Sequence, residues 1–176
     1  MLFSSITNIG FIVALAASSA LGAVNTRQTV DDLSKVHISI NKAKDAMDRW
    51  NGGLMGAIPV AHSIYNAQKT AEGARANLGN TDPFEGDDKH QVMRAYKGLQ
   101  PDFISAIRAA EEKAPAFKKA GVAYVARGML GSLRMEKDDF ETAMKRTMTE
   151  EHYREVVPFV NEVDAAFVDA DKAFAS

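Results

Sequence analysis

Residues 156–174, VVPFVNEVDAAFVDADKAF, decide the fold of this chain. The apolar residues in this stretch advance by four, three, four, three and four positions: Val156, Val160, Val163, Phe167, Ala170 and Phe174. This spacing places all six side chains on one face of an α-helix. A narrow apolar seam of this kind needs other helices to cover it. We therefore expect a last helix over about residues 150–175, packed within an all-α bundle.

Four earlier segments show the same spacing of three and four residues, and none alternates with the two-residue period of a strand. The helices predicted from this spacing cover about residues 30–50, 54–78, 88–113 and 122–148. Thr29 is expected to cap the first helix, and residues 51–53, Asn-Gly-Gly, to end it. Residues 114–121 are expected to form a short connection or a bent continuation, and Pro101 and Pro158 to bend their helices. The fold class that follows is all-α, a single five-helix bundle.

The amino-terminal 26 residues carry no charged side chain, since the first basic residue is Arg27 and the first acidic residue is Asp31. The apolar run 11–17 is followed by small residues, with Ala20 and Gly22 at the −3 and −1 positions of a secretory cleavage site. This pattern predicts a signal peptide over residues 1–22, a short leader over 23–28 and a helical-bundle domain over 29–175.

The alternative for this amino end is a membrane anchor. The Ser, Thr and Asn side chains in the run dilute it below what a bilayer-spanning helix requires, and no stable transmembrane anchor is expected. The protein is therefore predicted to be secreted.

Composition excludes several classes of function. The 176 residues include 21 Lys and Arg against 23 Asp and Glu, a net charge of −2, and no cysteine. A near-neutral chain lacks the basic surface that neutralises phosphates, so nucleic acid is not an expected partner. The absence of cysteine removes thiol catalysis, thiolate metal ligands and disulfides. An exported domain of this kind has to be stabilised by its core alone.

Neither a catalytic nor a metal-binding pattern is present in the sequence. The four histidines lie in different segments and form no Glu-x-x-His pair, and residues 128–132, GMLGS, are not a G-x-S-x-G nucleophile elbow. Asp138, Asp139 and Glu141 are expected to form a solvated face beside Lys137. We therefore expect no enzyme activity, no cofactor and no bound metal.

Apolar and small residues on the predicted inward faces are the more informative signal. Gln68 lies between Ile64 and Ala71 on the buried side of the second helix, so its amide needs a core partner, a water or a ligand head group, unless it lies at the rim. Methionines on the inward stripes can be core fillers or part of a ligand-binding interior. Small residues lie among them, and they can either let neighbouring helices pack closely or leave space that a ligand fills: Ala61, Ala71, Gly128 and Gly131.

Three stretches carry a resemblance to a known family: residues 50–60, WNGGLMGAIPV, residues 117–122, FKKAGV, and the closing segment 157–174. Together they resemble the fungal hydrophobic surface-binding protein A family, also described as cell-wall galactomannoproteins, over about residues 29–174. The resemblance implies a secreted helical bundle with an apolar interior. It also implies adsorption to hydrophobic surfaces, recruitment of a polyester-degrading hydrolase, or sequestration of long-chain fatty acids in a tunnel between helices.

The leading hypothesis is a secreted, non-enzymatic bundle that encloses a long-chain fatty acid or adsorbs to a hydrophobic surface, with its helices hinging apart at the loop 79–86. Gln68, with Ser63 and Ser132 as further candidates, is predicted to hydrogen-bond the carboxylate. The predicted apolar contacts are Ile64, Phe103, Met129 and Phe167. The alternative is a structural or adaptor bundle with a fully packed core that binds a protein partner such as a secreted hydrolase.

Overall fold

The computed structural model describes the backbone of residues 6–175 and the side chains of residues 25–175. The predicted signal peptide, residues 1–22, therefore lies outside the residues whose side chains are described. Within the described chain there is no strand, and the helices are α1 (Ile6–Arg49), α2 (Leu54–Gly79), α3 (Gly86–Glu112), α4 (Ala114–Lys119), α5 (Ala123–Thr147), α6 (Glu150–Arg154) and α7 (Val157–Ala175).

Seven helices in the described chain replace the five predicted, because two proline positions divide the helical segments. Pro158 has no N–H to donate and its ring collides with the carbonyl four residues earlier, so α6 ends at Arg154 and Pro158 lies in the first turn of α7. Pro115 likewise lies in the first turn of α4, which makes residues 114–119 a helix of their own. Pro101, by contrast, is contained within the single helix α3.

The first helix does not begin at Thr29, because α1 runs through that residue, whose side chain is buried. The neighbouring Asp32 binds across the structure rather than capping a helix end. Its carboxylate accepts hydrogen bonds from Gln28 Nε2 at 2.9 Å and from Asn77 Nδ2 of α2 at 2.7 Å. Burial acts to raise the pKa of Asp32, but hydrogen bonds from Gln28, Lys35 and Asn77 hold it below its usual value. Asp32 thus fastens α1 to the end of α2.

The five long helices form a closed ring. Packing partners follow each other in the order α2, α1, α3, α7, α5 and back to α2. Contacts between Asn41 and Asp102 and between Trp50 and Lys113 show that α1 and α3 run parallel. The ring surrounds a central space, and every long helix contributes to its wall.

The connection between α2 and α3 is anchored to the ring. Phe84 is buried, and its backbone N–H donates to the carbonyl of Thr147 at the end of α5, with 2.9 Å between nitrogen and oxygen. This attachment opposes a free hinge at the loop 79–86.

A tryptophan fixes the turn between α1 and α2. Trp50 donates from Nε1 to the carbonyl of Gly53 at 3.1 Å, and its own carbonyl accepts from Lys113 Nζ at 2.8 Å. Gly52 and Gly53 have φ values of 104° and 81°, in the region that disfavours side chains with a Cβ. The Trp50 ring lies 4.3 Å from that of Phe117, centroid to centroid, and so joins this turn to α4.

Two glycines of α2 should respond in opposite ways to alanine. A Cβ on Gly56 would lie 2.7 Å from Trp50 Cδ1, so Gly56→Ala must displace a buried ring and should lower the free energy of unfolding, by about 1–3 kcal/mol. At Gly73 a Cβ meets nothing within 4 Å. Gly73→Ala should therefore raise the free energy of unfolding by about 0.5–1 kcal/mol. Urea unfolding of both variants checks this pair, and equal effects would contradict the packing of Trp50 on Gly56.

Candidate functional site

The main cavity lies in the centre of the helical ring and has a volume of about 120 Å³. One water molecule needs roughly 10–15 Å³ on the same measure, so this space is far larger than an ordinary packing defect. Most of its wall is apolar. Representative side chains from each long helix are Ile40 and Met47 of α1, Ile64 and Ala71 of α2, Phe103 and Ile107 of α3, Leu130 and Phe140 of α5, and Val160 and Val163 of α7.

The main cavity is elongated along the helix axes. On α1 its wall extends from Val36 to Met47, a difference of 11 residues. At 1.5 Å of rise per residue, this wall is about 16 Å long. A space of this length and apolar lining fits an extended hydrocarbon chain better than a compact solute.

Polar side chains of the main cavity gather toward one end. On α3 the polar wall residues Tyr96, Lys97 and Gln100 all lie before Phe103, whereas on α5, which runs antiparallel to α3, they follow Leu130 and Leu133. The polar wall residues on α5 are Glu136, Lys137 and Glu141. The opposite end, around Met47 and Ala110, has no polar side chain in the described wall.

A buried ammonium with an excess of carboxylates marks this polar end. Lys137 Nζ lies 2.9 Å from Asp138 and 3.2 Å from Glu141, and it also contacts Asp164 of α7. Burial acts to lower the pKa of Lys137, but its hydrogen bonds and ion pairs outweigh this and raise it, so the ammonium stays charged. Burial raises the pKa of Glu141, an effect that Lys137 only partly offsets. The pKa of Glu141 is therefore raised mainly by burial, and the neighbouring carboxylates of Asp164 and Asp138 add to this.

The second buried glutamate of the wall is fully paired. Glu136 accepts from Arg75 of α2 through both oxygens, at 2.7 Å from Nε and 3.2 Å from Nη2. The hydrogen bond to Glu136 is the main cause of a raised pKa of Arg75. This bidentate pair closes the wall between α2 and α5.

Tyr96 presents an unpaired hydroxyl at the polar end. Its ring stacks on Phe140, with centroids 6.0 Å apart and planes within 7°. Burial raises the pKa of Tyr96, so the phenol remains a protonated donor across the physiological range. Tyr96 is half-buried, and in the described part of the chain its hydroxyl has no acceptor in the protein, so the oxygen is not fully enclosed. The nearby Gln100 amide is already used, since Nε2 donates to the carbonyl of Phe159 at 3.2 Å.

A second apolar space, which we call the end groove, has a volume of about 180 Å³. It lies between the amino-terminal parts of α2 and α5, beside α4. Ile64 lines both the main cavity and the end groove. All its described wall residues are apolar: Leu54, Ala57, Ile58, Val60, Ala61, Ile64, Phe117, Val122, Val125, Ala126 and Met129.

The predicted apolar contacts are distributed over both spaces. Ile64 and Phe103 line the main cavity, and Met129 lines the end groove with Ile64. Phe167 packs edge-on against Phe103, with ring centroids 5.6 Å apart. Ala61 and Ala71 also face these spaces, whereas Gly128 and Gly131 lie on the exposed side of α5. The two glycines therefore do not create the interior space.

The predicted polar contacts lie elsewhere. Gln68 is half-buried and donates from Nε2 to Glu72 of its own helix at 3.1 Å. Ser132 is exposed and donates to the carbonyl of Gly128 at 3.1 Å, while Ser63 is half-buried. Within the described chain, none of these three residues is part of the wall of either space.

The expected solvated face on α5 is only partly solvated. Asp138 and Asp139 are exposed, but Lys137 and Glu141 are buried and face the main cavity. Their spacing carried the signal that sequence reasoning missed. Lys137 lies three positions before Phe140 and Glu141 three positions before Met144, which places both beside the apolar stripe on the inward side of the helix.

Neither a membrane-crossing helix nor a metal site emerges from the described residues. No helix there combines the length and apolarity that crossing a membrane requires. Among those same residues, no three or more His, Asp or Glu side chains converge as a metal site would need.

The ring of helices and the space inside it define a class of all-α proteins built around an apolar interior. The sequence profile described as "Hydrophobic surface binding protein A" matches residues 26–146, and the chain belongs to this family. No curated protein matches the chain significantly in sequence.

Solved structures share the same fold at low sequence identity. The crystal structure of Afmp4p in complex with palmitic acid is 23% identical, with a TM-score of 0.81, and the match covers 85% of this chain and 99% of that one. Ligand binding domain 1 of Penicillium marneffei MP1 protein, complexed with arachidonic acids, is 13% identical with a TM-score of 0.79, covering 85% and 98%. Domain 2 of the same protein, with multiple arachidonic acids, is 16% identical with a TM-score of 0.77, covering 88% and 96%.

Neutralising Glu141 should change how stability depends on pH. Because its pKa is raised in the folded state, stability from this group is present below the ordinary glutamate pKa and is lost as the pH rises through the folded value. Glu141→Gln removes the ionisable group and with it this loss of stability at higher pH. The unfolding free energy of Glu141→Gln minus that of the natural chain should therefore be larger at pH 7 than at pH 4.

Urea unfolding at both pH values measures this difference. Asp139→Asn, on the exposed side of the same helix, is the matched control and should show a smaller change between the two pH values. A constant effect of Glu141→Gln across the range would contradict a raised pKa of Glu141.

Proposed function

We propose that this chain is a non-enzymatic protein that binds a long-chain fatty acid in the main cavity. The observation that carries the proposal is an elongated apolar space in the helical ring whose polar side chains are confined toward one end. Family membership supports it. So do the solved structures with the same fold, whose descriptions name palmitic acid and arachidonic acids.

The dimensions of the main cavity suit an acyl chain. The hydrocarbon core of a bilayer is about 30 Å thick and two chains deep, so one chain spans about 15 Å. The wall of the main cavity along α1, from Val36 to Met47, is about as long. Each methylene removed from water contributes about 0.8 kcal/mol before the cost of ordering the ligand. The apolar wall can therefore supply most of the binding free energy.

The carboxyl group of the ligand belongs, in this proposal, at the polar end near Tyr96. The Tyr96 hydroxyl has no acceptor of its own in the described chain, whereas Lys137 already has three carboxylates and Gln100 two acceptors. A neutral phenol can donate a hydrogen bond to a carboxylate or to a carboxylic acid. We assign the role predicted for Gln68, Ser63 and Ser132 to Tyr96, and we keep Ile64 and Phe103 as apolar contacts.

Palmitate should bind in a small integer stoichiometry and stabilise the protein. Native mass spectrometry of the delipidated chain with added palmitate measures the stoichiometry, and thermal unfolding measures the stabilisation. A ligand that binds only the folded state at 100 times its Kd should add about 2.7 kcal/mol to the free energy of unfolding. The absence of both a bound species and a thermal shift would refute the proposal.

Tyr96→Phe should weaken the binding of palmitate while leaving the fold intact. Loss of one hydrogen bond to a charged or acidic group is worth about 1.5–3 kcal/mol, which corresponds to roughly ten- to a hundredfold in Kd. Tyr65→Phe, at an exposed tyrosine of α2, is the matched control and should bind as the natural chain does. Displacement of a fluorescent fatty acid measures the Kd of palmitate for the natural chain and for both variants. If Tyr96→Phe and Tyr65→Phe bind equally, the head group lies elsewhere.

A second candidate function, adsorption to hydrophobic surfaces, is favoured by exposed apolar side chains at the amino-terminal ends of α2 and α5, among which Leu54 and Ile58 line the end groove. Met55 and Tyr124 each have an exposed fraction of 78%, and Leu54 and Ile58 have 56% and 57%. Exposed apolar side chains gathered at one end of a molecule are typical of an interaction surface. Met55→Lys with Tyr124→Lys should reduce depletion of the protein by polystyrene beads, and unchanged depletion would count against this surface.

The remaining parts of the proposal concern location and partners. We propose a signal peptide over residues 1–22, a leader over 23–28 and a single bundle domain over 29–175, and hence a protein secreted to the medium or the cell wall. The uncharged amino end with Ala20 and Gly22 supports the cleavage site. A secreted hydrolase is a proposed partner of the adsorbed protein, on the strength of the family resemblance alone.

A further inference from the structure

We propose that the end groove receives the methyl end of acyl chains that are longer than the main cavity can hold, and that Ile64 is the residue that sets this length limit. The inference rests on the function proposed above and adds a second compartment to the same site.

The two spaces follow each other along the interface of α2 and α5. On α2, Ala57 and Ala61 line the end groove, Ile64 lines both spaces, and Ala67 lines the main cavity. On α5 the order repeats, because Met129 lines the end groove and the next residue, Leu130, lines the main cavity. The end groove thus begins where the main cavity ends.

The direction of the ligand places its methyl end at this junction. The polar wall residues on α5, which start at Glu136, lie beyond Leu130 on the side away from the end groove. Tyr96, the proposed partner of the carboxyl group, stacks on Phe140 at the same end. A fatty acid held there by its head group therefore extends its chain toward Ile64.

The end groove has the chemistry of a hydrocarbon site and not of a head-group site. Its described wall contains no polar side chain, so a carboxyl group placed there would lose its hydrogen bonds to water without replacement. From Ala57 to Ile64 the groove wall on α2 covers seven residues, which adds about 10 Å to the path. That increment suits the additional methylenes of a very long acyl chain.

Ile64 separates the two spaces with a buried and stiff side chain. Its exposed fraction is 8%, and a β-branched side chain on a helix has one strongly preferred rotamer. The neighbouring Ala61 is small, so a larger residue there would fill the end groove and leave the wall of the main cavity unchanged.

The test compares dodecanoate, palmitate and docosanoate, with 12, 16 and 22 carbons, in displacement of cis-parinaric acid. Ala61→Phe should raise the Kd of docosanoate by about tenfold, because some of the methylenes at its methyl end lose their apolar site. The Kd of dodecanoate should not change.

Ile64→Ala, which joins the two spaces, should shift the binding preference toward docosanoate. Val125→Asp is a second variant of the end groove, in the first turn of α5, where a carboxylate is compatible with the helix. It should have the same effect on the two Kd values as Ala61→Phe.

Methionine methyl resonances locate the ligand directly. Met47 lines the main cavity and Met129 the end groove. In protein labelled with ¹³C at its methionine methyls, docosanoate should shift both resonances and dodecanoate that of Met47 alone. The inference is overturned, and the proposed function left intact, if docosanoate shifts the Met47 resonance without shifting that of Met129. The same holds if Ala61→Phe and Val125→Asp weaken the binding of docosanoate and dodecanoate equally. Failure of every fatty acid to bind or to shift Met47 overturns both.

Discussion

The closure of five long helices into a ring is the constraint on which the rest of the structure depends. Five cylinders about 10 Å in diameter, each touching two neighbours, leave a central channel about 7 Å wide, whereas four leave about 4 Å. Short side chains in the wall, such as Ala43, Ala67 and Ala106, keep part of this channel open. The interior space is thus a consequence of helix number and of small residues on the inward faces, not of a local packing defect.

A ring with an open centre has to be held together at its perimeter. Arg75 and Glu136 join α2 to α5, Arg127 and Asp171 join α5 to α7, and Asp32 and Asn77 join α1 to α2. These contacts link neighbouring helices, while apolar contacts such as that of Trp50 with Phe117 close one end of the ring. Within the described chain, no fully buried side-chain nitrogen or oxygen lacks a hydrogen-bond partner. A chain without cysteine can therefore keep a defined shape around an incompletely filled core.

Much of this architecture follows from apolar spacing. In the seam that begins at Val156, every residue is buried except Val160, which is half-buried and faces the main cavity. The positions of the helix ends and the polar residues of the cavity wall were harder to predict from the sequence. Thr29 has the residue type of a cap, yet the helix continues through it, because local preference cannot report whether the preceding residues are helical. Glu141, beside Lys137, was expected in solvent because charged residues usually are, although its spacing from Phe140 and Met144 places it on the inward side. The spacing does not reveal that this inward side borders a cavity, which follows from the closure of the ring.

The order of helices around the ring has a kinetic consequence. Neighbours in the ring are often distant in sequence: Arg75 and Glu136 are separated by 61 residues, Gln100 and Phe159 by 59, and Arg127 and Asp171 by 44. Chains rich in distant contacts fold more slowly than bundles whose neighbouring helices are joined by short turns. The apolar faces of α2 and α3 must therefore wait for α5 and α7 before they are covered. During that interval the uncovered apolar faces are in contact with water, and this is the stage of folding at which the chain is most prone to associate with other copies.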